Sequence, residues 1–340
     1  MSSLSIALLG LNRVSASIGL ALKRYMKKGG KYQFTITGYD YSADMAKQAK
    51  KMGAIDKSER KPDKAVANAD IVILSISYED AEATFRTIAP DLRDGVMIFD
   101  LSPLKAPSLE WAKTYLTDEH HIVGATPIVN PHHLFVADQS IEHANESLFD
   151  DSTTLLTPSA SCIKEAVDLA FNFAQILGSK PRFLDPHEHD TMLAYTEQLP
   201  RLLGTTVFYH LMNQDNWNDL QWFTNPGFGV LTRVLFDYHP DALRDEFTQN
   251  SAVLTRALDG LIDSLQQFRT SLSEKKTQEI EAVLVSAADE YEKWINNRYR
   301  ADWDSAAYGA EPKPMNSLAR GLLGGTIADK LFGEEDDSKK

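Results

Sequence analysis

A few short stretches of this chain carry residues whose types and spacing suit chemistry. The apolar run Ile6–Leu9 leads into Gly10-Leu-Asn12-Arg13-Val-Ser15, at the point where a strand gives way to a helix. Such a turn binds a dinucleotide when its glycines bend the chain tightly, let backbone approach the pyrophosphate and let helix and strand pack closely. Only the first of the three glycines is kept, as Gly10. Asn12 tolerates positive φ, and Ser15 is small enough for the helix packing. The free N–H groups of the helix start attract an anion, and Arg13 adds a cation beside them. Asp40 follows the next strand, where a carboxylate accepts ribose hydroxyls and repels a 2′-phosphate. The expected cofactor is therefore NAD, with NADP disfavoured. From Gly10 to Asp40 the chain runs 30 residues. That exceeds the usual ~20, and Lys27–Lys31 (KKGGK) reads as the inserted loop that accounts for it.

These positions need a sheet to hold them. Short apolar runs alternating with helical patterns predict strands at Ser5–Leu9, Phe34–Tyr39, Ile71–Ile76, Val96–Asp100, His121–Ala125 and Thr153–Thr157. That alternation makes a Rossmann-like, doubly wound and mainly parallel sheet over residues 1–184. A helix stop at Leu177–Gly178 and an extended connector at Pro181–Asp185 lead to a hinge at Pro186. Residues 185–296 then read as an all-α domain. Within it Leu254, Leu258, Leu261, Leu265, Phe268 and Leu272 have the spacing of a coiled-coil seam, which serves either the domain's own core or a second subunit. Residues 297–340 read as a flexible tail, with a short amphipathic stretch at Ser317–Phe332.

Composition narrows the partners. With 35 Lys+Arg against 48 Asp+Glu the formal charge is −13, which repels nucleic acid over most of the surface. A small anion held by a few focused arginines remains compatible with that field. No apolar run suits a membrane helix and the start lacks a secretory pattern, so a cytoplasmic address is expected. Cys162 is the single cysteine, so neither an internal disulfide nor a cysteine-based zinc site can form. His187 and His189 in DPHEHD have a metal-like spacing but no identifiable third ligand, and no metal is expected.

The ordered set IALLGLNRVSASIGLALKR, ITGYD, ADIVILSIS, IFDLSPLK, HIVGATPIVNP, LFDDSTTLLTPS, LDPHEHD, YTEQLPRLL and GFGVLTRV resembles the prephenate dehydrogenase family over about residues 4–296. The resemblance implies a Rossmann domain followed by a helical dimerisation domain. It also implies NAD-linked oxidative decarboxylation of prephenate or a related cyclic carboxylate, in tyrosine biosynthesis. In the family a histidine of an H-P-x-x-G motif draws off the substrate's hydroxyl proton; here Thr126 holds that place, and its hydroxyl is a poor base. The serine of D-x-x-S-x-K falls on Pro103. The two histidines of S-H-L-P-H become Gln198 and Arg201. Arg233 keeps the arginine that grips the ring carboxylate, and a guanidinium fork suits that contact. Arg201 is expected either to add a second cation in the cleft or to form a surface ion pair with Glu197. His132 and His133 are the loop histidines placed to substitute for the missing base, whereas His187 and His189 read as helix-start or interdomain structure. Three functions follow: a divergent prephenate dehydrogenase-like enzyme, homodimeric in the family manner; a ligand-sensing homologue that has lost the chemistry; or a dehydrogenase of another carboxylate.

Overall fold

The computed structural model describes residues 2–136 and 138–300. Eight strands form one sheet: β1 (Ser2–Leu9), β2 (Tyr32–Tyr39), β3 (Lys57–Ser58), β4 (Ile71–Leu74), β5 (Met97–Asp100), β6 (His121–Pro127), β7 (Thr153–Pro158) and β8 (Lys180–Phe183). Between them run α1 (Arg13–Lys27), α2 (Ala43–Lys51), α3 (Pro62–Val66), α4 (Tyr78–Ile88), α5 (Lys105–Tyr115) and α6 (Lys164–Ile176). The spatial order is β3-β2-β1-β4-β5-β6-β7-β8, with only the β6–β7 pair antiparallel. The chain reverses direction across the sheet between β1 and β4, which opens a crevice at their C-terminal ends.

Continuous apolar strands are what a sheet buried on both faces requires. Along β1, Ile6 and Leu8 pack on one side with Ile18, Leu22 and Phe99, while Ala7 and Leu9 pack on the other with Val72, Phe85 and Ile98. The structure departs from the expected strands at two places. The expected connector at Pro181–Asp185 is largely strand β8, parallel to β7 in the register Leu155↔Arg182. The two-residue β3 was too short to leave a periodic signal.

After Asp185, whose side chain caps the next helix by accepting from His187 N and Glu188 N, the chain is helical. Its helices are α7 (Pro186–Leu193), α8 (Leu199–Met212), α9 (Trp217–Leu220), α10 (Pro226–Thr232), α11 (Val234–Asp237), α12 (Pro240–Gln249), α13 (Ser251–Ser273) and α14 (Thr277–Arg300). A π turn at Ala194–Gln198 joins α7 to α8 without a break. By compactness the chain divides at Ile262/Asp263, with α7–α12 in the same unit as the sheet. Helix α14 runs to Arg300, four residues into the expected tail; residues 301–340, including Ser317–Phe332, lie outside the described residues.

Candidate active site

Gly10 sits at φ +85°, where a Cβ would lie 2.2 Å from the Ser75 carbonyl oxygen, so only glycine fits. Asn12 is extended, at φ −115°, rather than left-handed. It serves as the N-cap of α1: its Oδ1 accepts from Val14 N (3.0 Å) and Ser15 N (3.1 Å), and its Nδ2 donates to Ser75 Oγ (2.8 Å). Ser15 completes a capping box, accepting from Asn12 N and donating to the Gly10 carbonyl (2.7 Å). Asp40 braces the same turn, its Oδ2 accepting from Leu11 N (2.7 Å) and its Oδ1 from Ser42 N (2.8 Å). Each carboxylate oxygen has a second lone pair for a ribose hydroxyl.

Arg13 is 2% exposed and donates from Nη1 to the carbonyls of Val136 (2.9 Å) and Asp138 (3.2 Å). Its Nε and Nη2 are buried without a hydrogen-bond partner among the described residues. Burial pulls this guanidinium below its ordinary value, opposed by the Asp138 carboxylate. A buried cation with two unused donors beside a helix N-terminus fits a group bearing negative charge, as a dinucleotide's pyrophosphate does.

Across the sheet, Lys105 is fully buried at the start of α5. Its Nζ donates to the carbonyls of Asp100 (3.0 Å), Ser102 (2.6 Å) and Ala125 (3.0 Å), using all three donors to tie the end of β5 to the end of β6. Burial pushes this ammonium down to about 8, with Asp100 and Asp190 opposing. A lysine whose folded value lies below its unfolded one costs stability while charged, and that cost fades as pH rises from about 8 to about 10.5. Wild-type stability is therefore expected to gain on Lys105→Met over that window, by up to about 3 kcal/mol. Denaturant midpoints of the two proteins at several pH values check this, and a constant difference contradicts it.

The clamp holds Thr126, next to Ala125 and half-buried near the end of β6. Thr126 Oγ1 lies 2.9 Å from His189 Nε2, and His189 Nδ1 lies 2.9 Å from Asp190 Oδ1. The Asp190 carboxylate also accepts from Lys105 N (2.8 Å, Oδ1) and Ala106 N (2.9 Å, Oδ2). Asn250 Nδ2 fixes the Asp190 carbonyl at 3.0 Å. Because the carboxylate only accepts, His189 donates from Nδ1 and its Nε2 accepts from the Thr126 hydroxyl. The arrangement is a hydroxyl, an imidazole and a carboxylate in line. Sequence reading assigned His189 to structure. The signal that could have found it is the retained His189-Asp190 pair in a chain whose usual histidine had become Thr126.

The loop histidines stand elsewhere. His132 is exposed and His133 half-buried, and no hydrogen bond joins either to Thr126. Burial, with Arg13 and His132 adding, lowers the His133 imidazole.

Arg201 takes the ion-pair alternative. Its Nη1 donates to Glu246 Oε1 (2.8 Å) and its Nη2 to Glu197 Oε2 (2.9 Å), while the guanidinium stacks 4.5 Å from the Tyr238 ring centroid. Two carboxylates on one guanidinium leave little positive potential for a substrate. Gln198, fully buried, donates to the Glu246 carbonyl (3.1 Å) and accepts from Asn250 (2.8 Å). Arg233 is less committed. It donates from Nε to Asp237 (2.9 Å), has Nη2 3.5 Å from Asp138 Oδ2, and lines an open cavity of about 620 Å³ with Phe208, Thr232 and Phe236.

Residues 18–181 match the nucleotide-binding domain of prephenate dehydrogenase, and residues 185–286 match its dimerisation domain. The chain belongs to the prephenate dehydrogenase family. Among its relatives, prephenate dehydrogenase of Bacillus subtilis is 25% identical over 289 residues, covering 84% of this chain and 74% of that protein. Cyclohexadienyl dehydrogenase of Zymomonas mobilis is 24% identical over 273 residues, 79% of this chain and 88% of that one. Prephenate dehydrogenase of Aquifex aeolicus, solved with hydroxyphenyl propionate and NAD+, superposes with a TM-score of 0.71 at 19% identity, covering 86% of this chain and 99% of that one. The expected fold class, the prephenate dehydrogenase-like oxidoreductase reading and NAD as cofactor all agree with this membership. Among the described residues no helix is long and apolar enough to cross a membrane.

Proposed function

We propose that this member of the prephenate dehydrogenase family is an active, homodimeric, NAD-linked dehydrogenase of a cyclic hydroxy-carboxylate, with prephenate or arogenate as substrate. The observation that carries the reading is the cavity beside Arg233, a guanidinium with donor capacity left over in a cleft wide enough for one ring. Arg233 binds and orients the ring carboxylate by its fork. Thr126 hydrogen-bonds the reacting hydroxyl from the end of β6. Gly10, Asn12 and Ser15 shape the turn for the pyrophosphate, Arg13 faces its charge, and Asp40 receives the ribose. Bound NAD supplies the hydride acceptor. Loss of carbon dioxide then restores aromaticity and drives the reaction forward.

The dimer reading rests on the matched dimerisation domain and on an uncovered apolar face. Trp222 is 84% exposed, Phe223 80% and Phe236 85%, far more aromatic surface than a free-standing helical layer keeps in water. Leu265 and Leu272 of the α13 seam are also exposed.

Calorimetric titration of NAD, followed by prephenate or arogenate into the NAD-loaded protein, tests the proposal. Saturable binding of NAD and then of one carboxylate is expected. Silence from NAD contradicts it.

A further inference from the structure

The step left unassigned by that reading is where the hydroxyl proton goes, since Thr126 cannot keep it. We infer that the proton acceptor is His189, reached through the Thr126 hydroxyl and held in its accepting tautomer by Asp190. This rests on the dehydrogenase reading given above.

His189 is 2% exposed, and the partner of its Nε2 is the hydroxyl of Thr126, which is half-buried near the end of β6. With NAD bound, the nicotinamide would accept the carbinol hydrogen together with its electron pair, leaving the C–O bond to become a carbonyl and the O–H proton to be removed. The substrate O–H proton moves to Thr126 Oγ1, while the proton of Oγ1 moves to His189 Nε2 across the 2.9 Å bond. Threonine is unchanged by the exchange. His189 ends as an imidazolium whose Nδ1–H faces Asp190, itself fixed by two backbone N–H groups at the start of α5. This is the division of labour of hydroxyl, imidazole and carboxylate in acyl transfer, with threonine as a relay in place of a nucleophile.

The chain has moved the base rather than lost it. A side chain at position 126 now needs only a hydroxyl, because the imidazole comes from α7. The charged and titratable groups around the His189–Asp190 pair are Lys105 at the start of α5, Asp100 at the end of β5 and Tyr78 at the start of α4. Burial holds the Lys105 ammonium down at about 8, on the alkaline side of neutrality.

The test compares the full-length wild type with Thr126→Val, Thr126→Ser and His189→Gln, each first shown to melt cooperatively and to bind NAD as the wild type does. Turnover is followed as NADH formed from prephenate or arogenate. Thr126→Val, which keeps the shape and removes the hydroxyl, is expected to lower kcat by about 10²–10⁴-fold, the usual worth of a positioned proton acceptor. Thr126→Ser, which returns a hydroxyl, is expected to restore most of that loss. His189→Gln is expected to lower kcat by a similar factor and to flatten the acid limb of kcat/KM, a change that a purely structural role would not produce. An active wild type whose His189→Gln variant keeps both kcat and the acid limb overturns the relay alone. A wild type that binds NAD but forms no NADH from either substrate overturns the dehydrogenase reading and the relay with it.

Discussion

Arg201→Met is expected to destabilise the protein by about 3–5 kcal/mol, the usual effect of stripping one partner from a buried ion pair. Glu246 is 2% exposed, and burial already raises its carboxyl above the ordinary range, with Arg201 pulling the other way. Without the guanidinium, the choice for Glu246 is to bury a charge or to take up a proton. A carboxyl raised in this way costs most above its unfolded value, so the deficit should shrink as pH falls toward 4.5. The double variant Arg201→Met/Glu246→Leu removes the orphaned charge and is expected to recover more than half of the loss. Chemical denaturation of the three proteins at pH 7 and pH 5 checks this. If instead Arg201→Met keeps wild-type stability and weakens carboxylate binding, the arginine belongs to the cleft and not to the helical core.

Arg233→Leu is expected to raise the KM for prephenate or arogenate by about 100-fold, or ~3 kcal/mol, while NAD affinity stays unchanged. The arginine lines the cavity with Phe208, Thr232 and Phe236 and makes no hydrogen bond to Gly10, Asn12 or Asp40 among the described residues, so truncating it removes carboxylate recognition without disturbing the dinucleotide turn. Arg233→Lys keeps the charge and loses the planar fork, and an intermediate KM is expected. The same variants separate carboxylate binding from the contact with Asp138, whose carboxyl is held low mainly by its hydrogen bonds to Ser140, with Arg233 a lesser cause. Steady-state kinetics at saturating NAD gives the answer, and a fall in kcat at constant KM contradicts a binding role.

The fold was legible because its signals are local. The apolar run of β1, the glycine at the first turn and the carboxylate at Asp40 each announce a strand end, and the alternation between them leaves little choice but a parallel sheet. The two-residue β3 and the proline-bearing β8 lack any such periodicity and emerge only from their neighbours in the sheet. The site was legible only where a residue acts from its own element. Gly10, Asp40 and Arg233 are readings of that kind, each made from its own element and carried into the proposed function. Asn12 was placed at the right turn for a different physical reason, since it caps α1 in extended backbone where positive φ had been invoked. His189 could not be placed, because its role comes from a contact 63 residues distant, made when β6 and α7 meet. Arg201 was ambiguous for the same reason: its deciding partner, Glu246, lies 45 residues away on α12.

Substitution of the usual histidine, the neighbouring serine and two loop glycines need not mean loss of chemistry when the fold supplies their work from elsewhere. Asn12 and Ser15 rebuild the turn as a capping box. Lys105 and Asp190 hold the end of β6 against α7, and a hydroxyl with an imidazole behind it stands where an imidazole alone would be expected. The most direct measurement of that account is a single turnover. The wild-type protein loaded with NAD is mixed with excess prephenate, and in parallel with arogenate, and the NADH absorbance band is followed from the first milliseconds. NADH appearing in amounts equal to the bound sites, with carbon dioxide released in step, is the predicted result. A protein that binds both ligands and forms no NADH with either would contradict it.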